Sequence, residues 1–176
     1  VFNMFVRSKA SAIRIFEIIE EESSINFNEG ISNLKQSGRI DFEDVSFSYA
    51  NGHEVIHNIS FTCMPGETLG IIGATGSGKS SLVNLIPGFY DATSGRVKVD
   101  GADVKDINKR ILREKIALVP QKTMLFTGSV LENIRWGKEN ASLEEIKKAA
   151  EIAEADEFIS GFPEQYNTKL GQRGVN

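Results

Sequence analysis

Cysteine is almost missing from this chain, and with it any internal disulfide, because Cys63 stands alone. His53 and His57 are the two histidines, and with one thiol they make no cluster of metal-binding spacing. Long apolar runs are lacking as well: none reaches the ~20 residues that cross a bilayer, and no signal-peptide pattern opens the chain. An excess of positive charge is absent too. Lys and Arg number 20 against 24 Asp and Glu, a net charge of −4 and a pI near 5.3, which excludes the basic footprint of a nucleic-acid or membrane-surface binder. Any membrane role must come through a partner domain. Wholesale disorder is excluded in turn, since hydrophobic residues make up 40% and charged residues 25%. The 176 residues suffice for one domain with a sizeable core. The chain opens at Val1 without an initiating Met and stops at Asn176 in a loop-like stretch, so we expect a fragment of something longer.

Residues 1–22 contain neither Gly nor Pro, and Ala12, Ile15, Phe16 and Ile19 recur at helical spacing, which predicts an amphipathic helix. Such a helix either packs on its own domain or forms the tail of a transmembrane helix whose last apolar turns are Val1, Phe2, Met4, Phe5 and Val6. Residues 23–38 turn polar and read as a linker. Alternation then runs in two registers, Ile40 and Phe42 followed by Val45, Phe47 and Tyr49, and the slip between them predicts a bulge in an antiparallel strand. Ile59, Phe61 and Cys63 alternate again before a turn at Met64-Pro65-Gly66-Glu67. Leu69-Gly70-Ile71-Ile72 is continuous instead, as in a parallel strand covered on both faces. A helix from Lys79 towards Ile86 should end at Pro87-Gly88, and Val97 and Val99 mark a short strand before the Asp100-Gly101 turn. Ile107, Ile111 and Leu112 suggest another helix, and residues 116–119 a second buried strand. Beyond Asn133 the pattern is helical, with Ser142 and Glu145 forming a capping box for a helix to about Ile159.

The chemistry sits in Gly73-Ala74-Thr75-Gly76-Ser77-Gly78-Lys79-Ser80, a match to the G-x-x-x-x-G-K-[ST] phosphate loop. Glycines let the backbone fold tightly enough for successive N–H groups to converge on phosphate oxygens. The following helix adds its N-terminal dipole and unpaired donors. Lys79 would bridge the β- and γ-phosphates, and the Ser80 hydroxyl would ligate Mg²⁺. Tyr49 by itself reads as a strand aromatic packing locally, and Gln121 as a solvated residue after a strand.

Around this loop the chain resembles, over essentially its whole length, the ATPase domain of ABC transporters, and the exporter branch in particular. Val45-Ser46-Phe47-Ser48-Tyr49 resembles the A-loop, which implies that Tyr49 stacks on adenine. Phe89-Tyr90-Asp91, Ser94-Gly95 and Val99-Asp100-Gly101 resemble the stretch after the phosphate loop, with Gly88 and Ala92 where many members have a basic residue and Pro. Val119-Pro120-Gln121, Leu125-Phe126 and Glu132-Asn133-Ile134 resemble the Q-loop and the entry to the helical subdomain. That likeness implies that Gln121 contacts Mg²⁺ and the attacking water. Residues 171–176 resemble the segment just before the LSGGQ signature, with Gln172 where an acidic residue is common.

The resemblance implies an α/β fold: a P-loop NTPase (RecA-like) core, an antiparallel β subdomain and the start of an α-helical subdomain. It divides the chain into a helix over 1–22 extending a transmembrane helix, a linker over 23–38, and the first part of the ATPase domain over 39–176, helical from about 133. It implies ATP and Mg²⁺ as ligands, with Tyr49, residues 73–80 and Ser81 around the nucleotide, Ser80 and Gln121 at the metal, and Lys79 and Gln121 in catalysis. The implied partners are a second ATPase domain, head to tail, and a transmembrane domain, at the cytoplasmic face of a membrane; no nucleic acid is expected. These residues contain no LSGGQ, no apolar strand ending in Asp-Glu and no switch histidine, so alone they are expected to bind Mg-ATP without turning it over. A soluble ABC-type or other P-loop ATPase, and a non-catalytic nucleotide-sensing fragment, are the other readings.

Overall fold

The computed structural model describes residues 2–21, 30–35, 37–50, 52–122 and 124–171. They fall into two compact units, Val1–Ala117 and Leu118–Asn176. The first unit begins with helix α1 (Phe2–Ile19), where Ile13, Ile15, Phe16, Ile18 and Ile19 are all exposed, Phe16 at 58%. No helix among the described residues is long and apolar enough to cross a membrane. Half of the expected linker, residues 23–29 and 36, and all of residues 172–176 lie outside the described residues.

Strands β1 (Ile40–Ser48) and β2 (Glu54–Cys63) come next, then helix α2 (Lys79–Leu85), then strands β3 (Ser94–Val99) and β4 (Ala102–Asp103), and helix α3 (Lys109–Glu114). The four strands pair antiparallel in the order β2-β1-β3-β4. The predicted bulge is present. Register passes from Phe42↔Phe61 to Val45↔Ile59, so β1 spends one more residue than β2. Asp44 adopts φ 48°, and its N–H is satisfied by Ser60 Oγ at 2.8 Å. The slip is what lets Phe42, Val45 and Phe47 all be buried, since strict alternation would put Val45 on the opposite face from Phe42. Phe42 and Phe61 stack across the strands with centroids 4.5 Å apart. Onto this core α2 places Leu82 and Leu85, and α3 places Leu112, beside Val97, Val99, Val104 and Ile107.

Polar groups tie the edges of this packing. Lys109 is buried, which pushes its ammonium pKa down against the pull of Asp91, Asp103 and Asp106, and its Nζ donates to the Val104 carbonyl at 2.6 Å. Asp41, on β1, accepts from the Arg39 guanidinium and from Thr62 Oγ1, both at 2.7 Å. The Arg39 bond holds its carboxyl below the usual carboxylate range, with burial opposing and Thr62 assisting. A depressed carboxyl stabilises the fold above its unfolded pKa, near 3.8, and that stability is lost as pH falls through the folded value. Asp41→Asn should therefore flatten the acid limb of the stability curve below about pH 4. Urea titrations at stepped pH would show this, and an unchanged acid limb would remove Asp41 from the account.

Two expected strands do not form. Residues 68–72 and 116–119 join no ladder, and Ile72 and Val119 are 99% and 88% exposed. An apolar run becomes a buried strand only where neighbouring strands take its N–H and C=O groups and helices cover it. Among the described residues neither run finds that company.

The second unit contains β5 (Gly128–Ser129), α4 (Val130–Arg135), α5 (Leu143–Ile152), α6 (Asp156–Ser160) and β6 (Lys169–Leu170), with β5 and β6 antiparallel. Val130, Ile146, Ala150, Ile159 and Tyr166 form its core. The Ser142–Glu145 capping box is present, and a second one, Ser129–Glu132, starts the first helix earlier than Asn133. The single helix expected from Ser142 to Ile159 is two helices. Glu154 turns left-handed at φ 54°, and the Ala155 N–H closes on the Ala150 carbonyl at 2.8 Å, a Schellman-type stop built without glycine.

Candidate functional site

In the first unit, the residue after β1, part of β2 and the loop into α2 with its first turn form a cleft of about 290 Å³, lined by Tyr49, Val55 and residues 76–81. The loop gets its shape from two left-handed glycines. Gly76 has φ 82° and Gly78 φ 85°. At Gly78 a Cβ would also come within 2.8 Å of the Val55 carbonyl, so this position needs glycine twice over. Gly78 is the N-cap of α2, and no side chain caps that terminus. The first-turn N–H groups of α2 are thus left without side-chain acceptors, facing a cleft that admits an anion.

Lys79 folds back over the loop. Its Nζ donates to the carbonyls of Gly73 and Ala74 at 2.8 and 2.7 Å and to Ser77 Oγ at 3.4 Å. A turn from Ser77 N–H to the Ala74 carbonyl at 3.2 Å fixes the loop's middle. Ser80 lines the cleft and is exposed. Gly73, Ala74 and Thr75 are exposed and do not line the cleft. Gln121 belongs to the second unit and is exposed there.

Among the described residues, no three His, Cys, Asp or Glu side chains gather to hold a metal ion. What the cleft offers Mg²⁺ is hydroxyl oxygen, with Ser80 at the exposed start of α2. That set fits Mg²⁺ arriving with a nucleotide, because Mg²⁺ commonly takes most of its ligands from phosphate oxygens and water and few from protein.

The ABC transporter family description matches residues 56–172, more than half of the chain. The chain belongs to the ABC transporter family. This ABC chain is 49% identical over 174 residues to the ABC transporter ATP-binding protein YfiB of Bacillus subtilis, covering 98% of the chain and 30% of YfiB. It is 41% identical over 162 residues to human ATP-binding cassette sub-family B member 6, covering 92% of the chain and 19% of that protein. Among solved structures, a bacterial Atm1-family ABC exporter with ATP bound superposes with a TM-score of 0.87 at 28% identity, over 98% of this chain and 30% of the other. The chain thus spans about 30% of the length of YfiB and of that exporter. The mixed α/β fold expected from the sequence, a P-loop ATPase core with an antiparallel sheet, is the one this ABC chain adopts.

Two neighbours of Tyr49 escape sequence reading. Val55 lines the cleft wall from β2, and Tyr90 packs on the Tyr49 ring. Neither has a local signal, since each meets the site from another element. Ser81, expected around the nucleotide, lines the cleft with its hydroxyl 2.8 Å from that of Tyr49, a pairing that no spacing announces. In the second unit, the Glu132-Asn133 pair has a mechanical meaning. Glu132 completes the Ser129 capping box, while Asn133 accepts from the Phe126 N–H at 2.8 Å and donates to the Phe126 carbonyl at 2.9 Å. The side-chain amide thereby stands in for a strand neighbour to the segment that follows Gln121.

Proposed function

We propose that this chain is the nucleotide-binding portion of an exporter that couples ATP binding and hydrolysis to transport across a membrane. The observation that carries this reading is the cleft itself, where the Tyr49 ring just after β1 and the uncapped first turn of α2 share one hollow of about 290 Å³. A flat π-face set beside an anion cradle matches a base joined to phosphates. Tyr49 stacks on adenine, a contact of about 1–3 kcal/mol by analogy with bases on aromatic side chains. The backbone of residues 73–81 surrounds the phosphates, and Lys79 leaves its loop carbonyls for the β- and γ-phosphate oxygens, which are stronger acceptors.

Ser80 would hold Mg²⁺ through its hydroxyl, and the ion, when bound, would supply charge neutralisation at the γ-phosphoryl group. For Gln121, in the second unit, the likeness of Val119-Pro120-Gln121 to the Q-loop supports a role towards Mg²⁺ and the attacking water. Hydrolysis requires a second ATPase domain placed head to tail, and coupling requires a transmembrane domain, so the chain works at the cytoplasmic face of a membrane. Supporting this, α1 carries apolar residues that its own unit leaves exposed. The similar solved exporter was seen with ATP bound.

The test is Tyr49→Ala in the full-length protein. ATP and ADP binding, measured by equilibrium dialysis, should weaken about tenfold or more, whereas inorganic tripolyphosphate should bind as before. Equal affinity of the variant and the unmodified protein for ATP would remove the adenine site from Tyr49.

A further inference from the structure

Ser81 follows Lys79 and Ser80 and lines the same cleft. The residue is 7% exposed, and its hydroxyl lies 2.8 Å from the hydroxyl of Tyr49, the residue that directly follows β1. Two more rings close around Tyr49. Phe47 meets it T-shaped at 4.8 Å and 77°, and Tyr90 does so at 5.2 Å and 87°. Phe47 and Tyr90 also touch one another, with centroids 5.5 Å apart. A tyrosine at the end of a surface strand would ordinarily sample several rotamers. Here the ring is held along its flanks by two aromatics and at its tip by a buried serine.

We propose that Ser81 is a positioning residue for base recognition, its hydroxyl locking the Tyr49 ring so that the base platform and the phosphate-binding helix form one preset piece. This rests on the reading of the cleft as a nucleotide site. Stacking on a mobile ring requires that the ring be immobilised at the moment of binding, and a ring already pinned avoids that cost. The hydrogen bond also joins the segment that directly follows β1 to the first turn of α2, so the distance between base and phosphate subsites is built in before the ligand arrives. The serine hydroxyl therefore acts on ATP affinity through Tyr49.

The experiment measures ATP and inorganic tripolyphosphate binding to the full-length protein by equilibrium dialysis, for Ser81→Ala, Tyr49→Phe and the double variant. Each single variant should weaken ATP about three- to tenfold and reduce the ratio of ATP to tripolyphosphate affinity. The double variant should lose no more than either single one, since both remove the same bond. Ser81→Thr, which keeps the hydroxyl, should restore the ratio. Additive losses, or a Ser81→Ala loss equal for ATP and tripolyphosphate, would overturn the proposal by showing the hydroxyl acting elsewhere. An unchanged ATP affinity in Ser81→Ala would overturn it too. Lys79→Ala serves as the separate control: if that variant binds both ligands normally, the nucleotide site itself is misplaced.

Discussion

Lys79→Ala is expected to lower affinity for ATP and for inorganic tripolyphosphate at least about a hundredfold and to bring ATP hydrolysis by the full-length protein to background, leaving adenosine binding within about threefold. Every hydrogen-bond partner of the Lys79 ammonium in the structure is a neutral oxygen, two loop carbonyls and the Ser77 hydroxyl. A phosphate oxygen carries the formal negative charge that such acceptors lack, and hydrogen bonds to charged groups contribute about 1.5–3 kcal/mol each to the net free energy. Two such bonds lost together already exceed the factor stated. Among the described residues that line the cleft Lys79 is the only cation, so alanine would leave the triphosphate to uncharged donors, backbone N–H groups and serine hydroxyls. Lysine suits this position as a compact point charge among closely spaced carbonyls, and the planar fork of arginine does not. Lys79→Arg should therefore fail to restore binding. Calorimetric titration separates the three ligands. ATP affinity in Lys79→Ala within threefold of the unmodified protein would show that the ammonium never reaches the phosphates.

The sequence makes local devices legible and leaves long-range ones hidden. The bulge at Asp44 shows as a slip in alternation, and the phosphate loop shows as glycines that backbone geometry demands. The Ser142 capping box follows from spacing alone, and the Ser129–Glu132 box obeys the same rule and could have been read by it. By contrast, the break between α5 and α6 rests on Glu154 in a left-handed conformation that its residue type disfavours. Residues 68–72 and 116–119 have the composition of buried strands, but composition states only what a run can tolerate. Whether it is covered depends on neighbours, and among the described residues those are lacking. The Ser81–Tyr49 bond is hidden for a related reason. Its partners are 32 residues apart and neither sits in a pattern that implies the other.

The largest loss of stability is expected from Gly95→Ala. Gly95 lies on β3 opposite the β1 bulge, with φ 76°. A Cβ built there falls 2.3 Å from the Asp44 carbonyl oxygen, 2.4 Å from that of Glu43 and 2.5 Å from the Asp44 carbonyl carbon. All three are backbone atoms of the neighbouring strand, so no rotamer change makes room. Either β3 or the bulge must move, and the bulge is itself held by Asp44 at φ 48° and by its bond to Ser60. Gly101 supplies the comparison. It has φ 83° but nothing within 4 Å of an added methyl, so alanine there meets only the cost of a left-handed backbone, about 1–2 kcal/mol. Gly95→Ala adds the clash to that cost, for a total of about 3 kcal/mol or more. The melting temperature should fall by about 6 °C or more, and distinctly further than in Gly101→Ala. The site should feel the change as well. Close to Gly95, Thr93 donates its N–H to the Ser46 carbonyl and accepts from the Ser48 N–H, both at 2.9 Å, which fixes the end of β1 that carries Tyr49. A displaced β3 would carry that end with it, so Gly95→Ala should also weaken ATP more than tripolyphosphate. Equal melting temperatures for Gly95→Ala and Gly101→Ala would show that the strands yield freely at the bulge, and the tie between sheet register and the position of Tyr49 would then fail with it.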